Sequence, residues 1–143
     1  MNVPRTILAI LLAPSLALIG SQAAAADPYF RFPAVRGDTV VFTAEGDLWR
    51  TTLAGGKATR LTTHPSAETQ AAISPDGKSV AFVAFYEGAQ EAYVMPIEGG
   101  LPKPITFENG GVTVLGWTAQ GEVLVRTENS PGPSWDRGVA GLD

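Results

Sequence analysis

The chain has 143 residues, no cysteine, and ten lysines and arginines against fourteen acids, for a formal charge of −4. Without a thiol there is no disulfide staple, no thiolate metal site and no cysteine nucleophile. The mild acidity, with no block of like charge, excludes the clustered basic surface that nucleic-acid binding requires.

Residues 1–6 carry one positive charge, Arg5. Residues 7–19 are mostly apolar, and 20–26 are dominated by small residues ending in four alanines. This pattern predicts a signal peptide over 1–26, cleaved before Asp27. A spanning helix needs ~20 apolar residues, and Pro14 interrupts this shorter run. No cysteine follows the run, which excludes a lipoprotein anchor. The expectation is an exported chain, periplasmic or extracellular, free of the membrane after cleavage. Loss of Arg5 leaves nine basic residues against fourteen acidic ones.

After Asp27 the strand signals are dense and helix signals are absent. Residues 29–34 are predicted as an inner strand, and Arg36-Gly37-Asp38 as the turn after it. The β-branched and aromatic run 39–44 and the run 47–53 form a hairpin across Glu45-Gly46. Ala54-Gly55-Gly56-Lys57 makes a second tight turn, and 58–62 is the outer strand. The plan then repeats. Strands are expected at 70–74, 79–85, 91–97 and 103–106, with Pro75-Asp76-Gly77-Lys78 as a β-turn in which proline presets φ. A third unit opens with 112–118 and 123–127. Pro131 and Pro133 then break the pattern, since proline lacks the ladder donor.

The repetition is the strongest signal. Asp47-Leu48-Trp49 through Gly55-Gly56 to Leu61-Thr62 returns as Glu91-Ala92-Tyr93 through Gly99-Gly100 to Ile105-Thr106, a shift of 44 residues. Phe42 to Phe82 is a shift of only 40, which places a four-residue insertion in the hairpin loop around Tyr86-Glu87-Gly88-Ala89. A period of this size in an all-strand chain indicates a β-propeller. The expected fold is all-β: an incomplete propeller of two four-stranded antiparallel blades plus the start of a third. The boundaries are 1–26 for the signal, 27–67 and 68–109 for the two blades, 110–128 for the partial blade and 129–143 for an irregular tail. Closure takes ~4–8 blades, so the chain is expected to be a piece of a longer protein, or else to assemble with copies of itself.

Ile73-Ser74-Pro75-Asp76-Gly77-Lys78-Ser79-Val80-Ala81-Phe82 resembles the core of the PD propeller repeats found in TolB and in tricorn-type proteases. The segment from Tyr29-Phe30-Arg31-Phe32-Pro33 to Val41-Phe42, with Glu45-Gly46-Asp47-Leu48-Trp49 and Leu61-Thr62-Thr63-His64-Pro65, is similar to the start of the first propeller of secreted tricorn-like peptidases. The resemblance implies a non-catalytic propeller that gates or guides peptides. The serine nucleophile and its partners would then lie in a catalytic domain outside this chain. A TolB-like periplasmic protein-binding propeller is the alternative, as is the propeller of another hydrolase such as an amidohydrolase. The implied partners are further blades, that catalytic domain, and peptide or protein substrates.

The chemistry-bearing residues have plainer readings. His64 is the only histidine. It could pair with Ser66 or Ser74 and with Asp76 or Glu68, but no orienting group or oxyanion hole accompanies it, and it reads as a polar linker residue. Asp76-Gly77 lacks the alternating oxygen ligands of a calcium loop and reads as a turn. Trp49 and Tyr93, like Phe42 and Phe82, occupy repeat-equivalent positions and are expected to pack between blades. The Gly-Gly pairs lack the strand-to-helix setting of a phosphate loop. Arg31 and Arg36 flank the first inner strand; facing the channel they could attract peptide carboxylates, although exposure alone is normal for arginine. No catalytic residue, metal ligand or cofactor is assigned.

Overall fold

Runs of β-branched and aromatic residues separated by glycine-containing turns leave the backbone one economical way to satisfy its hydrogen bonds, the antiparallel meander. The computed structural model describes residues 29–128, together with the backbone of 139–140. The expected signal peptide and most of 129–143 lie outside the described residues. Every described element is a strand. The first sheet is β1 (Arg31–Arg36), β2 (Thr39–Ala44), β3 (Asp47–Thr52) and β4 (Thr59–Arg60), paired in that order. The second is β5 (Thr69–Ile73), β6 (Ser79–Ala84), β7 (Glu91–Pro96) and β8 (Lys103–Pro104). The third joins β9 (Val112–Trp117), β10 (Val123–Thr127) and β11 (Val139–Ala140). This is the partial propeller architecture that the repeat predicts.

The inner strands differ from the simple reading. The first runs Arg31–Arg36, two residues later than expected, because Arg36 still pairs with Thr39 and only Gly37-Asp38 turns. Its ladder slips between Arg31 and Ala34, and that of β5 slips at the equivalent place between Thr69 and Ala72. Phe32 (φ 51°) and Gln70 (φ 54°) take the left-handed conformation at these slips. Each slip is a bulge, which bends the innermost strand and leaves one side chain out of the alternation.

The outer strands are shorter than expected, two residues each. The ladder does not stop for lack of donors: Leu61 N–H reaches Leu48 O at 2.8 Å, and Ile105 N–H reaches Ala92 O at 2.9 Å. One step further the backbone partner is replaced by a side chain. The Thr62 hydroxyl accepts from Leu48 N–H (2.8 Å), and the Thr106 hydroxyl accepts from Ala92 N–H (2.9 Å). Within 129–143, read as irregular, Val139–Ala140 pairs with Val123 and Leu124. The outer edge of β10 presents unpaired main-chain groups, and this short strand meets some of them.

The core lies between sheets. Along β6, Val80, Phe82 and Ala84 face the first sheet, whereas Ala81 and Val83 face the third. In β7, Tyr93 and Met95 face the first sheet, and Ala92 and Val94 the third. Both faces of these strands are buried, so they read as continuous apolar runs rather than alternating ones. The bulky side of the second sheet packs on Val41 and Leu48. Its small side receives Val112, Val114, Val123 and Val125. Full burial of Phe82 contributes roughly 2–3 kcal/mol. Its repeat equivalent Phe42 is only half-buried, covered edge-on by Phe30 at 4.9 Å.

Side chains also tie adjacent sheets together. Arg36 donates from Nε and Nη2 to Pro75 O (3.1 and 2.9 Å), and Arg50 donates to Ile97 O (3.1 Å) and pairs with Glu98. Trp117 Nε1 donates to Ala72 O at 2.9 Å.

Candidate functional site

Thr62 and Thr106, each two residues past the end of its outer strand, both donate to a buried acid. In the second sheet the Thr106 hydroxyl donates to Glu91, whose other oxygen accepts from Asn109 N–H at 2.7 Å. In the first sheet the residue aligned with Asn109 is Pro65, which has no N–H to give. The residue aligned with Glu91 is Asp47, one methylene shorter, and it pairs instead with Arg60. The Thr62 hydroxyl therefore donates to a different acid, Glu68 Oε2, at 2.7 Å.

Glu68 is fully buried. Its backbone is fixed by Glu68 N–H to Gly46 O (2.7 Å) and by the Thr43 hydroxyl to Glu68 O (2.9 Å). Its second oxygen accepts the Tyr86 hydroxyl at 2.7 Å. Burial pushes the carboxyl above its ordinary value; the bonds from Thr62 and Tyr86 offset part of that, and the Asp47 charge adds to it. Burial, followed by the bond to Glu68, raises the Tyr86 phenol. Among the described residues, no lysine or arginine pairs with Glu68.

Tyr86 belongs to the inserted loop, for which the first sheet has no counterpart. Its ring lies 4.3 Å from His64 and 4.7 Å from Tyr93, centroid to centroid. Above it opens a cleft of about 440 Å3 lined by Leu61, His64, Tyr86, Glu87, Leu101 and Pro102, among others. Leu101 is 84% exposed. From sequence alone Tyr86 reads as a loop residue with no assigned role. The only signal pointing to it was the length of that loop.

The residues singled out from sequence do not converge on one centre. His64 Nδ1 accepts from Ser66 N–H (3.0 Å), and the Ser66 hydroxyl donates to Phe85 O (3.1 Å). Ser74 donates to Asp76 (2.7 Å) inside the Pro-Asp-Gly turn, where Asp76 also accepts from Lys78 N–H (3.0 Å). These two bonds, that from Ser74 first, hold the Asp76 carboxyl below its ordinary value. Arg31 lies over Tyr29 and Phe32 at 5.7 and 5.6 Å from their ring centroids, and Arg36 reaches Pro75. The two arginines occupy opposite ends of a six-residue strand, roughly 16 Å apart along the backbone, so they cannot grip one small anion together. Among the described residues no three acids or histidines form a metal-holding group.

Residues 27–141 match the family described as the tricorn protease N-terminal beta propeller domain. The chain is 43% identical over 107 residues to tricorn protease homolog 1 of Streptomyces coelicolor, covering 74% of this chain and 10% of that protein. It is 32% identical over 111 residues to the tricorn protease homolog of Saccharolobus solfataricus, covering 75% of this chain and 10% of that protein. It thus spans about a tenth of either relative. Among solved structures, the tricorn protease crystal structure aligns with a TM-score of 0.67 at 21% identity, over 80% of this chain and 12% of that one. TolB from Acinetobacter baumannii aligns with a TM-score of 0.62 at 20% identity, over 80% and 32% respectively. At such identities the structural likeness speaks for the fold alone.

Proposed function

Because the chain belongs to the tricorn protease N-terminal β-propeller family, we propose that it is the exported, non-catalytic propeller segment of a tricorn-like serine peptidase. In this reading it gates or guides peptides toward a protease domain carried elsewhere. The observation that carries the non-catalytic role is the engagement of each candidate nucleophile or base in a local bond: His64 with Ser66 N–H, Ser66 with Phe85 O, and Ser74 with Asp76. A nucleophile needs a base within reach and the base an orienting group, and these bonds direct the side chains to turns and linkers instead. Arg31 and Arg36, on the innermost strand, would supply positive charge along the substrate path.

Incubation of the purified chain with a panel of fluorogenic peptides tests the first part. No turnover is expected; turnover abolished by His64→Ala would overturn the assignment. The guiding role is tested in the full-length peptidase. Arg31→Glu and Arg36→Glu should raise KM more for long peptides than for dipeptide-sized substrates. An equal effect on both lengths would remove the two arginines from the path.

A further inference from the structure

We propose that the cleft over Tyr86 receives a lysine or arginine side chain of a peptide. The proposal rests on the reading that this propeller handles peptides, and it names the class of residue recognised.

The cleft is not part of what the sheet architecture requires. The first sheet turns from its second to its third strand with Glu45-Gly46 alone, whereas the second uses a loop four residues longer. That extra length brings Tyr86 and Glu87 to the cleft. The floor is held in place before any ligand arrives. The Tyr86 hydroxyl is fixed on buried Glu68, and its ring is held between His64 and Tyr93. Leu61, Leu101 and Pro102 contribute apolar walls, and a volume of about 440 Å3 lies within the ~300–1,000 Å3 range of ligand pockets.

Charge selects the occupant. Among the described residues, Glu87 is the only acid lining the cleft, and neither lysine nor arginine lines it. Glu87 is exposed and, among the described residues, forms no ion pair. His64 Nδ1 accepts from Ser66 N–H at 3.0 Å, which fixes the ring at the cleft wall. A long aliphatic stem ending in a cation matches this arrangement: the stem covers the leucines and proline, and the head reaches the carboxylate. An acidic side chain would meet Glu87, and a short apolar one would leave it unpaired at the rim.

The test uses the full chain and capped pentapeptides, acetyl-Ala-Ala-X-Ala-Ala-amide, with X arginine, lysine, citrulline or glutamate. Affinities are measured by calorimetry, and the site is located by the shift of the Tyr86 ring resonances. Citrulline keeps the shape of arginine and removes its charge. The arginine and lysine peptides should bind about three- to fivefold tighter than citrulline at low salt, the scale of one exposed ion pair. That preference should vanish in Glu87→Gln and in 1 M salt. Equal binding of arginine and citrulline peptides, or a preference that survives Glu87→Gln, overturns the cleft assignment and leaves peptide handling intact. Failure of all four peptides to bind overturns both.

Discussion

Tyr86 donates its phenolic hydrogen to Glu68 at 2.7 Å, and this one bond joins the loop inserted in the second sheet to the linker that leaves the first. Full burial favours the protonated form of this acid, and the two hydroxyls that donate to it offset only part of that effect.

Stability should therefore respond to pH through Glu68. Its folded value lies above the ordinary 4.5, so the folded state binds the proton more tightly than the unfolded chain. The sign of the linkage makes this contribution complete below about 4.5, and it is lost as pH rises through the raised folded value. Thermal melts of Glu68→Gln between pH 4 and 8 should lack that decline. A wild-type curve that rises across the same window would contradict the burial argument.

The same pair sets an alkaline limit. Burial keeps the Tyr86 phenol protonated in the fold beyond its ordinary value of 10.0. Stability should fall as pH increases above about 10, and Tyr86→Phe should reduce the slope. At neutral pH, Tyr86→Phe leaves Glu68 Oε1 short of a donor and should cost about 1–3 kcal/mol in denaturant unfolding. Thr62→Val and Thr106→Val should cost amounts similar to each other. Each removes the acceptor for one strand N–H and the donor to one acid.

Much of this arrangement is legible in the sequence, and the rest fails for identifiable reasons. The strands 39–44 and 123–127 fall at their predicted bounds because β-branched runs meet turn residues abruptly there. The first inner strand runs on to Arg36 because that residue still pairs with Thr39, and the bulges at Phe32 and Gln70 leave no compositional trace. The 44-residue alignment pairs Asp47 with Glu91, yet the two acids hold different partners. Pro65 carried the clue to that difference, since a proline cannot donate where Asn109 does. The role of Glu68 depends on Tyr86 arriving from eighteen residues away, which no local pattern encodes.

Repeat-equivalent aromatics should have unequal energetic weight. Phe82→Ala empties a fully buried position between sheets and should cost about 3–5 kcal/mol. Phe42→Ala acts on a half-buried ring and should cost clearly less. Chemical denaturation of the two variants side by side provides the comparison, and equal losses would contradict the observed difference in burial.

The Pro-Asp-Gly turn provides a backbone test. Gly77 has φ +74°, and an added Cβ would meet nothing within 4 Å. Gly77→Ala therefore measures conformational strain alone, expected at about 1–2 kcal/mol of destabilisation. A neutral outcome in urea unfolding would mean that the turn relaxes.

The second sheet turns bulky side chains, Phe82, Tyr93 and Met95, toward the sheet before it and small ones, Ala81 and Ala92, toward the sheet after it. This gives the stack a polarity. Two bulky faces brought together would overfill the seam, and two small faces would leave a void, each costing stability. Units of this kind can therefore be added in only one sense, whether the next unit comes from the same polypeptide or from another.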